Sequence, residues 1–237
     1  MTKRSSILDL IRSFAIFLMV IFHFIYDLKY FGWLTWGIPD GDGWRHFRYV
    51  ILTLFFICIG VGLVYSHAQN IHPKKFITRL AKVAFGAGLI TLMSLVMFPQ
   101  NWIYFGVLHF ILIASLCAIL LVPYPRLSLI IGTCIIILGF LGLLDKQWPF
   151  SYFSEFLPNY TVDYVPLFPW LGVILLGIPL AHSQWLNHDI FKFKSLKNDK
   201  LIRRLTWPGK HSLIIYLVHQ PLLFAVLMPI HWWLNGG

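Results

Sequence analysis

The chain predicts an all-α fold, a polytopic transmembrane helix bundle of about seven spans with its N-terminus inside and its C-terminus outside. Three observations carry that expectation. Of the 237 residues, 58% are hydrophobic and only 12% charged, about half the charged fraction of a soluble globular domain. Several apolar runs approach or exceed the roughly 18 to 20 residues that a spanning helix needs. Fifteen of the 19 lysines and arginines fall on alternate connections or at the adjoining inner end of the first run, against Lys29, Arg45, Arg48 and Lys146 on the opposite side. That asymmetry sets the orientation under the positive-inside rule.

The expected spans are 7–28, 47–66, 81–98, 103–122, 127–144, 164–182 and 211–234, forming one integral-membrane domain over residues 1–237. The basic start MTKRSS has no small-residue cleavage site before Tyr26 and Asp27, so the first run is expected to be retained as a span. The net charge of +10 is spread over short connections and has no basic–aromatic nucleic-acid motif, so no nucleic-acid partner is expected. Cys58, Cys117 and Cys134 lie in apolar runs without disulfide or zinc spacing, and no metal site is expected.

The first run, ILDLIRSFAIFLMVIFHFIYDL, carries Asp9, Arg12, His23 and Asp27. Ionisable groups inside a span are costly and mark functional sites. At 100° per residue, Arg12 and His23 fall about 20° apart, and Asp9 and Asp27 coincide in angle. All four share a sector of roughly 60° along about 27 Å of helix. His23 and Asp27 are i,i+4 neighbours, so the carboxylate can orient the imidazole as base and orienter. Arg12 suits an anionic donor through its bidentate fork, and Asp9 can pair with it at i,i+3.

The connection KYFGWLTWGIPDGDGWRH combines turn residues with Trp33, Trp36 and Trp44, which suit a membrane interface. The second run ends in FFICIGVGL, where Gly60 and Gly62 permit close helix packing. The inner segment SHAQNIHPKKFITRLAK is basic. The fourth run, opening WIYFGVLHFILI, places His109 about 10 Å deep, near the depth of His23. The fifth run has no ionisable group. The loop ending in Asp163 leads into VPLFPWLGVILLGIPL, whose prolines predict kinks or a broken helix. The inner segment 182–210 holds seven cations from Lys192 to Lys210, expected on the anionic leaflet or against phosphates. The last run, HSLIIYLVHQPLLFAVLMPIHWWL, carries His211 at its start and His219, Gln220 and Pro221 near its middle.

Several stretches also resemble one known group. LDLIRSFAIFLMVIFHFIYDL, FFICIG, FGVLHF, DYVPLFPWLGVILLGI and GKHSLIIYLVHQPLL are similar in order and spacing to bacterial membrane proteins grouped with the catalytic domain of heparan-α-glucosaminide N-acetyltransferase. The Arg12–His23 spacing also resembles that of the wider superfamily of membrane acyltransferases acting on sugars and surface polymers. The resemblance implies acyl-CoA, specifically acetyl-CoA, as donor, the first-helix histidine as base and the arginine at the donor. It implies the bacterial cytoplasmic (inner) membrane as location, with the lipid bilayer, acyl-CoA and a glycan or amino-sugar acceptor as partners. A homo-oligomer stays open. Ser13 stands where these proteins commonly have glycine. Their acetyl-accepting histidine belongs to the loop after the first span, where His46 is nearest by region.

The resulting expectation is acetyl transfer to a hydroxyl or amine of an outward-facing glycan. His23, Asp27 and His109 are assigned to catalysis, Arg12, Asp9, His211 and Ser212 to the donor, and His219, Gln220, Asp163 and Trp170 to the acceptor. Direct transfer with His23 as base is preferred to an acetyl-histidine. A proton-coupled transporter using the same His/Asp/Arg track and a structural membrane subunit are the alternatives, though no inverted repeat supports the former.

Overall fold

A computed structural model describes residues 5–67, 73–183 and 200–235. Every regular element among them is helical. In order they are α1 (Ser6–Tyr30), α2 (Asp42–His67), α3 (Pro73–Met97), α4 (Val107–Ile119), α5 (Pro125–Phe140), a 3₁₀ helix (Phe150–Phe156), α6 (Leu167–His182), α7 (Lys200–Leu205), α8 (Trp207–Lys210) and α9 (Ser212–Leu234). Each expected run coincides with a helix, but the lengths divide them. Among the described residues, α1, α2, α3 and α9 are long and apolar enough to cross a membrane.

The other three apolar helices have 13 to 16 residues, or about 20 to 24 Å at 1.5 Å per residue. A hydrocarbon core is about 30 Å thick. Local chemistry accounts for the shortening of α4. The segment before it bonds laterally, Val162 N–H donating to the Asn101 carbonyl and Val165 N–H to that of Phe105, so helix begins only at Val107. The basic stretch 184–199, with Lys192, Lys194 and Lys197, lies outside the described residues, as do Lys3 and Arg4.

The chain divides into two compact units, Ser5–Phe55 with Phe191–Gly237 and Met1–Arg4 with Phe56–Ile190. In the first, the Ser5 hydroxyl caps α1 by accepting from Leu8 N–H, and Asp9 in the first turn complements the helix dipole. The helix closes at Gly32, whose φ of +78° suits a residue without Cβ. Met19 and Phe22 of α1 pack with Ile38 and with Ile51 of α2, flanked by Trp44, Phe47 and Tyr216.

Helix α9 runs parallel beside α1. Gly209, just before α9, sits so close to the Asp9 carbonyl that a Cβ there would collide. Farther along, His219 faces His23, and Phe224 packs on Tyr30 and Phe31. Lys29 Nζ donates to the Ile38 carbonyl, tying the loop 31–41 to the end of α1.

In the second unit, Phe56 and Phe110 are fully buried, their ring centroids 4.4 Å apart. The C-terminal part of α2 meets α6 at Gly60 and Gly177, where a Cβ on either would strike the opposing backbone. Helices α5 and α6 meet in the same way at Gly132 and Gly172, with Ser128 Oγ donating to the Leu175 carbonyl at 2.8 Å. Small residues at crossings let backbones approach, which matters where lipid gives helices no hydrophobic reason to associate. Gly60→Val is expected to destabilise the protein by about 1–3 kcal/mol through overpacking. The check is a lower unfolding midpoint for purified protein in detergent.

Candidate active site

Helix α1 carries its polar residues among buried apolar ones. Asp9 and Asp27 are 1% and 0% exposed, so each needs compensation. At the N-terminal end, Arg12 Nη1 lies 3.6 Å from Asp9 Oδ1, the expected i,i+3 pair. Ser13 adds a link that its residue type alone does not announce. Its hydroxyl donates to the Asp9 carbonyl at 2.9 Å and accepts from Gly209 N–H at 2.8 Å.

That link fastens α8 to the start of α1, and the same unit carries Lys200, Arg203, Arg204 and Lys210 exposed on α7 and α8. His211 packs at a tilt against Trp207, with centroids 4.9 Å apart and planes at 39°. Its backbone N–H caps α8 on the carbonyls of Trp207 and Pro208. Ser212 is the first residue of α9. The residues assigned to an anionic donor therefore share one unit with an array of exposed cations.

Three turns along α1 the chemistry changes. His23 Nδ1 lies 2.9 Å from the Met19 carbonyl. A carbonyl only accepts, so Nδ1 carries the proton and the lone pair of the neutral ring sits on Nε2. The same geometry recurs on α9, where His219 Nδ1 lies 2.7 Å from the Tyr216 carbonyl. The two imidazoles meet edge to face, centroids 4.7 Å apart and planes at 81°.

One turn beyond, Gln220 Nε2 donates to Asp27 Oδ1 at 2.7 Å. His23, His219, Asp27 and Gln220 are thus brought together at one contact between two parallel helices. The His23–Asp27 pairing expected from i,i+4 spacing is replaced: Met19 orients the imidazole and Gln220 holds the carboxylate. A carbonyl on the same helix turn reaches Nδ1 without moving the backbone, whereas Asp27 finds its partner across the helix contact. Asp27 Oδ2, His219 Nε2 and Gln220 Oε1 are buried without a hydrogen-bond partner among the described residues.

The other assigned residues belong to the second unit. His109 Nδ1 accepts from Gly106 N–H at 3.3 Å, and its Nε2 lies 3.1 Å from Thr91 Oγ1. Thr91 Oγ1 in turn donates to the Ile103 carbonyl at 2.8 Å. Nδ1 of His109 thus caps α4 while Nε2 is engaged by Thr91 of α3, so neither nitrogen offers a free lone pair in this arrangement. Asp163 Oδ2 accepts from Val107 N–H at 3.1 Å, supplying the carboxylate that a helix N-terminus favours. Trp170 is buried with its ring 5.6 Å from that of Phe56.

His46 lies exposed in the first turns of α2, its Nδ1 donating to the Asp42 carbonyl at 2.6 Å. Among the described residues no group of three or more His, Cys, Asp or Glu is placed to hold a metal ion. Residues overlooked from the sequence, namely Met19, Thr91 and Tyr216, act through main-chain carbonyls or a hydroxyl, and Ser13, marked there only as a departure from glycine, acts through its hydroxyl. For Met19, the i−4 spacing from His23 is the one available signal. Asp163→Ala removes the carboxylate from the start of α4 and is expected to cost about 1 kcal/mol. A reduced unfolding midpoint in nanodiscs, partly restored in Asp163→Asn, is the check.

Comparison with known proteins complements this geometry. The model of the family described as heparan-alpha-glucosaminide N-acetyltransferase, catalytic, matches residues 4–221, spanning α1 and reaching past His219 and Gln220. No similar curated protein and no similar solved structure was found. With most of its length matched, the chain belongs to the heparan-alpha-glucosaminide N-acetyltransferase catalytic-domain family, a family of membrane acetyltransferases.

Proposed function

We propose that the protein moves an acetyl group from cytosolic acetyl-CoA to a hydroxyl or amine of an outward-facing glycan or similar acceptor, with His23 as general base. The observation that carries this reading is the tautomer of His23. Donating Nδ1–H to Met19 leaves Nε2 as its basic atom, as a positioned proton acceptor requires. Family membership supplies the acyl-transfer class. The cations near the start of α1 suit the phosphates of the donor.

The proposed step balances as follows. His23 Nε2 takes the proton from the acceptor O–H or N–H while that heteroatom attacks the thioester carbonyl carbon. The tetrahedral intermediate collapses, the C–S bond breaks, and the CoA thiolate takes the proton back from Nε2. The products are acetylated acceptor and CoA thiol. Asp27 and Gln220 hold the acceptor beside His23, and His219 forms the adjoining wall. Arg12, fixed by Asp9, faces the donor phosphates, with His211 and Ser212 at the same end. Asp163 and His109 cap the start of α4, and Trp170 packs on Phe56 within the same unit.

The charge distribution supports an N-in, C-out orientation in a cytoplasmic membrane, which puts Arg12 on the acetyl-CoA side and Asp27 on the acceptor side. Direct transfer needs no covalent carrier, and exposed His46 is not required by it.

The test is acetyl-CoA-dependent CoA release by purified protein in nanodiscs. His23→Gln is expected to lower kcat about 10²–10⁴-fold, the range for losing a general base. Undiminished turnover in that variant would remove His23 from the chemistry. Solute flux in proteoliposomes without acetyl-CoA consumption would favour a transporter.

A further inference from the structure

A third element of the first unit, α2, brings a charged residue to the neighbourhood of His23. Trp44, Phe47, Ile51 and Phe55 of α2 pack on the cluster that holds Met19 and Phe22 of α1. At 100° per residue these four fall within about 80° of the α2 surface, and Arg48 lies about 20° from Phe55. Arg48 is half-buried there, whereas Arg45, His46 and Tyr49 are exposed. Phe22, packed on Trp44 and Phe47, also meets the His23 ring, with centroids 5.6 Å apart. The Arg48 charge acts on that ring.

A guanidinium has donors and no acceptor, so beside a base it serves a negative charge. Two such charges are held by other groups. The donor phosphates are assigned to Arg12, eleven residues and about 16 Å back along α1. The Asp27 carboxylate receives the Gln220 amide. The charge left for Arg48 is the one that the reaction itself creates, on the thioester oxygen, when the acceptor adds to the carbonyl carbon.

We propose that Arg48 is a further catalytic residue, which holds the oxyanion of the tetrahedral intermediate while His23 holds the acceptor's proton. The inference rests on the acetyl-transfer reading. As the heteroatom attacks, the carbonyl π electrons move onto oxygen, where the guanidinium donates its N–H groups. When that pair returns to carbon, the C–S bond breaks and its electrons leave with sulfur. The CoA thiolate then takes the proton from His23 Nε2. Arg48 ends unchanged, having favoured the charged intermediate over the neutral thioester.

Turnover is measured on the full chain in nanodiscs with acetyl-CoA and hydroxylamine, a small neutral acceptor. Arg48→Gln is expected to lower kcat about 10²–10³-fold, the range for losing one oxyanion donor, with KM for acetyl-CoA unchanged. Arg45→Gln removes an exposed cation that donates to the Asp40 carbonyl and is expected to change neither. An undiminished kcat in Arg48→Gln, or an equal loss in Arg45→Gln, would overturn the proposal.

Binding of trifluoroacetonyl-CoA needs no turnover and separates the proposal from the acetyl-transfer reading. Beside its fluorines the carbonyl adds water and ionises to a tetrahedral alkoxide, whereas that of acetonyl-CoA stays a ketone. By titration calorimetry, the unsubstituted protein is expected to bind the fluorinated analogue at least about tenfold tighter, the ratio of one hydrogen bond to a charged group. That preference is expected to vanish in Arg48→Gln. If hydroxylamine is not acetylated, the transfer reading fails, while a preference lost in Arg48→Gln still supports an oxyanion site at Arg48. A preference that survives in Arg48→Gln overturns the proposal. Equal affinities in the unsubstituted protein overturn it too, whether or not the variant folds.

Discussion

The hydrogen bond from His23 Nδ1 to the Met19 carbonyl decides what the rest of the site can do. An imidazole has two chemically similar nitrogens, and its use as a base depends on which one is committed elsewhere. Here the commitment is made within α1 itself, one turn back, so it does not rely on a neighbouring helix arriving first. His219 repeats the arrangement on α9 with Tyr216. Two rings 4.7 Å apart each keep the basic nitrogen at Nε2.

Around this pair the first unit builds a division of labour along one helix. The Asp9–Arg12 pair and the Ser13 link to Gly209 occupy the beginning of α1. His23 and Asp27 occupy its later turns. Parallel packing of α9 brings His219 and Gln220 into register with them, while close approach at Gly209 and aromatic packing at Phe224 hold the two ends. A bilayer makes such polar residues expensive unless each is paired or put to use. Asp9 and Arg12 are paired with each other, and the Gln220 amide N–H is paired with Asp27.

The sequence made the helical fold plain because lipid imposes long apolar runs that periodicity and composition register directly. It made α1 plain as well, since the shared angle of Asp9, Arg12, His23 and Asp27 is a property of one helix. Span lengths were less legible. Residues 103–106 look like helix by hydropathy, yet they form lateral bonds with the segment near Asp163, and hydropathy carries no information about such pairing. Partner choice was the least legible feature. Asp27 was expected to orient His23 by spacing, but Gln220 claims it from 193 residues away. His109 is expected in catalysis from its depth in the fourth run, whereas its bonds to Gly106 and Thr91 are partners that depth alone does not register.

The most direct measurement is the protonation pattern of the His23 ring, read by ¹⁵N solid-state NMR on histidine-labelled protein in lipid bilayers. His23→Gln identifies the resonance. The account predicts a neutral ring protonated at Nδ1 and bare at Nε2 in the resting enzyme. A neutral ring protonated at Nε2 would contradict it, because the atom assigned to accept the substrate proton would already hold one.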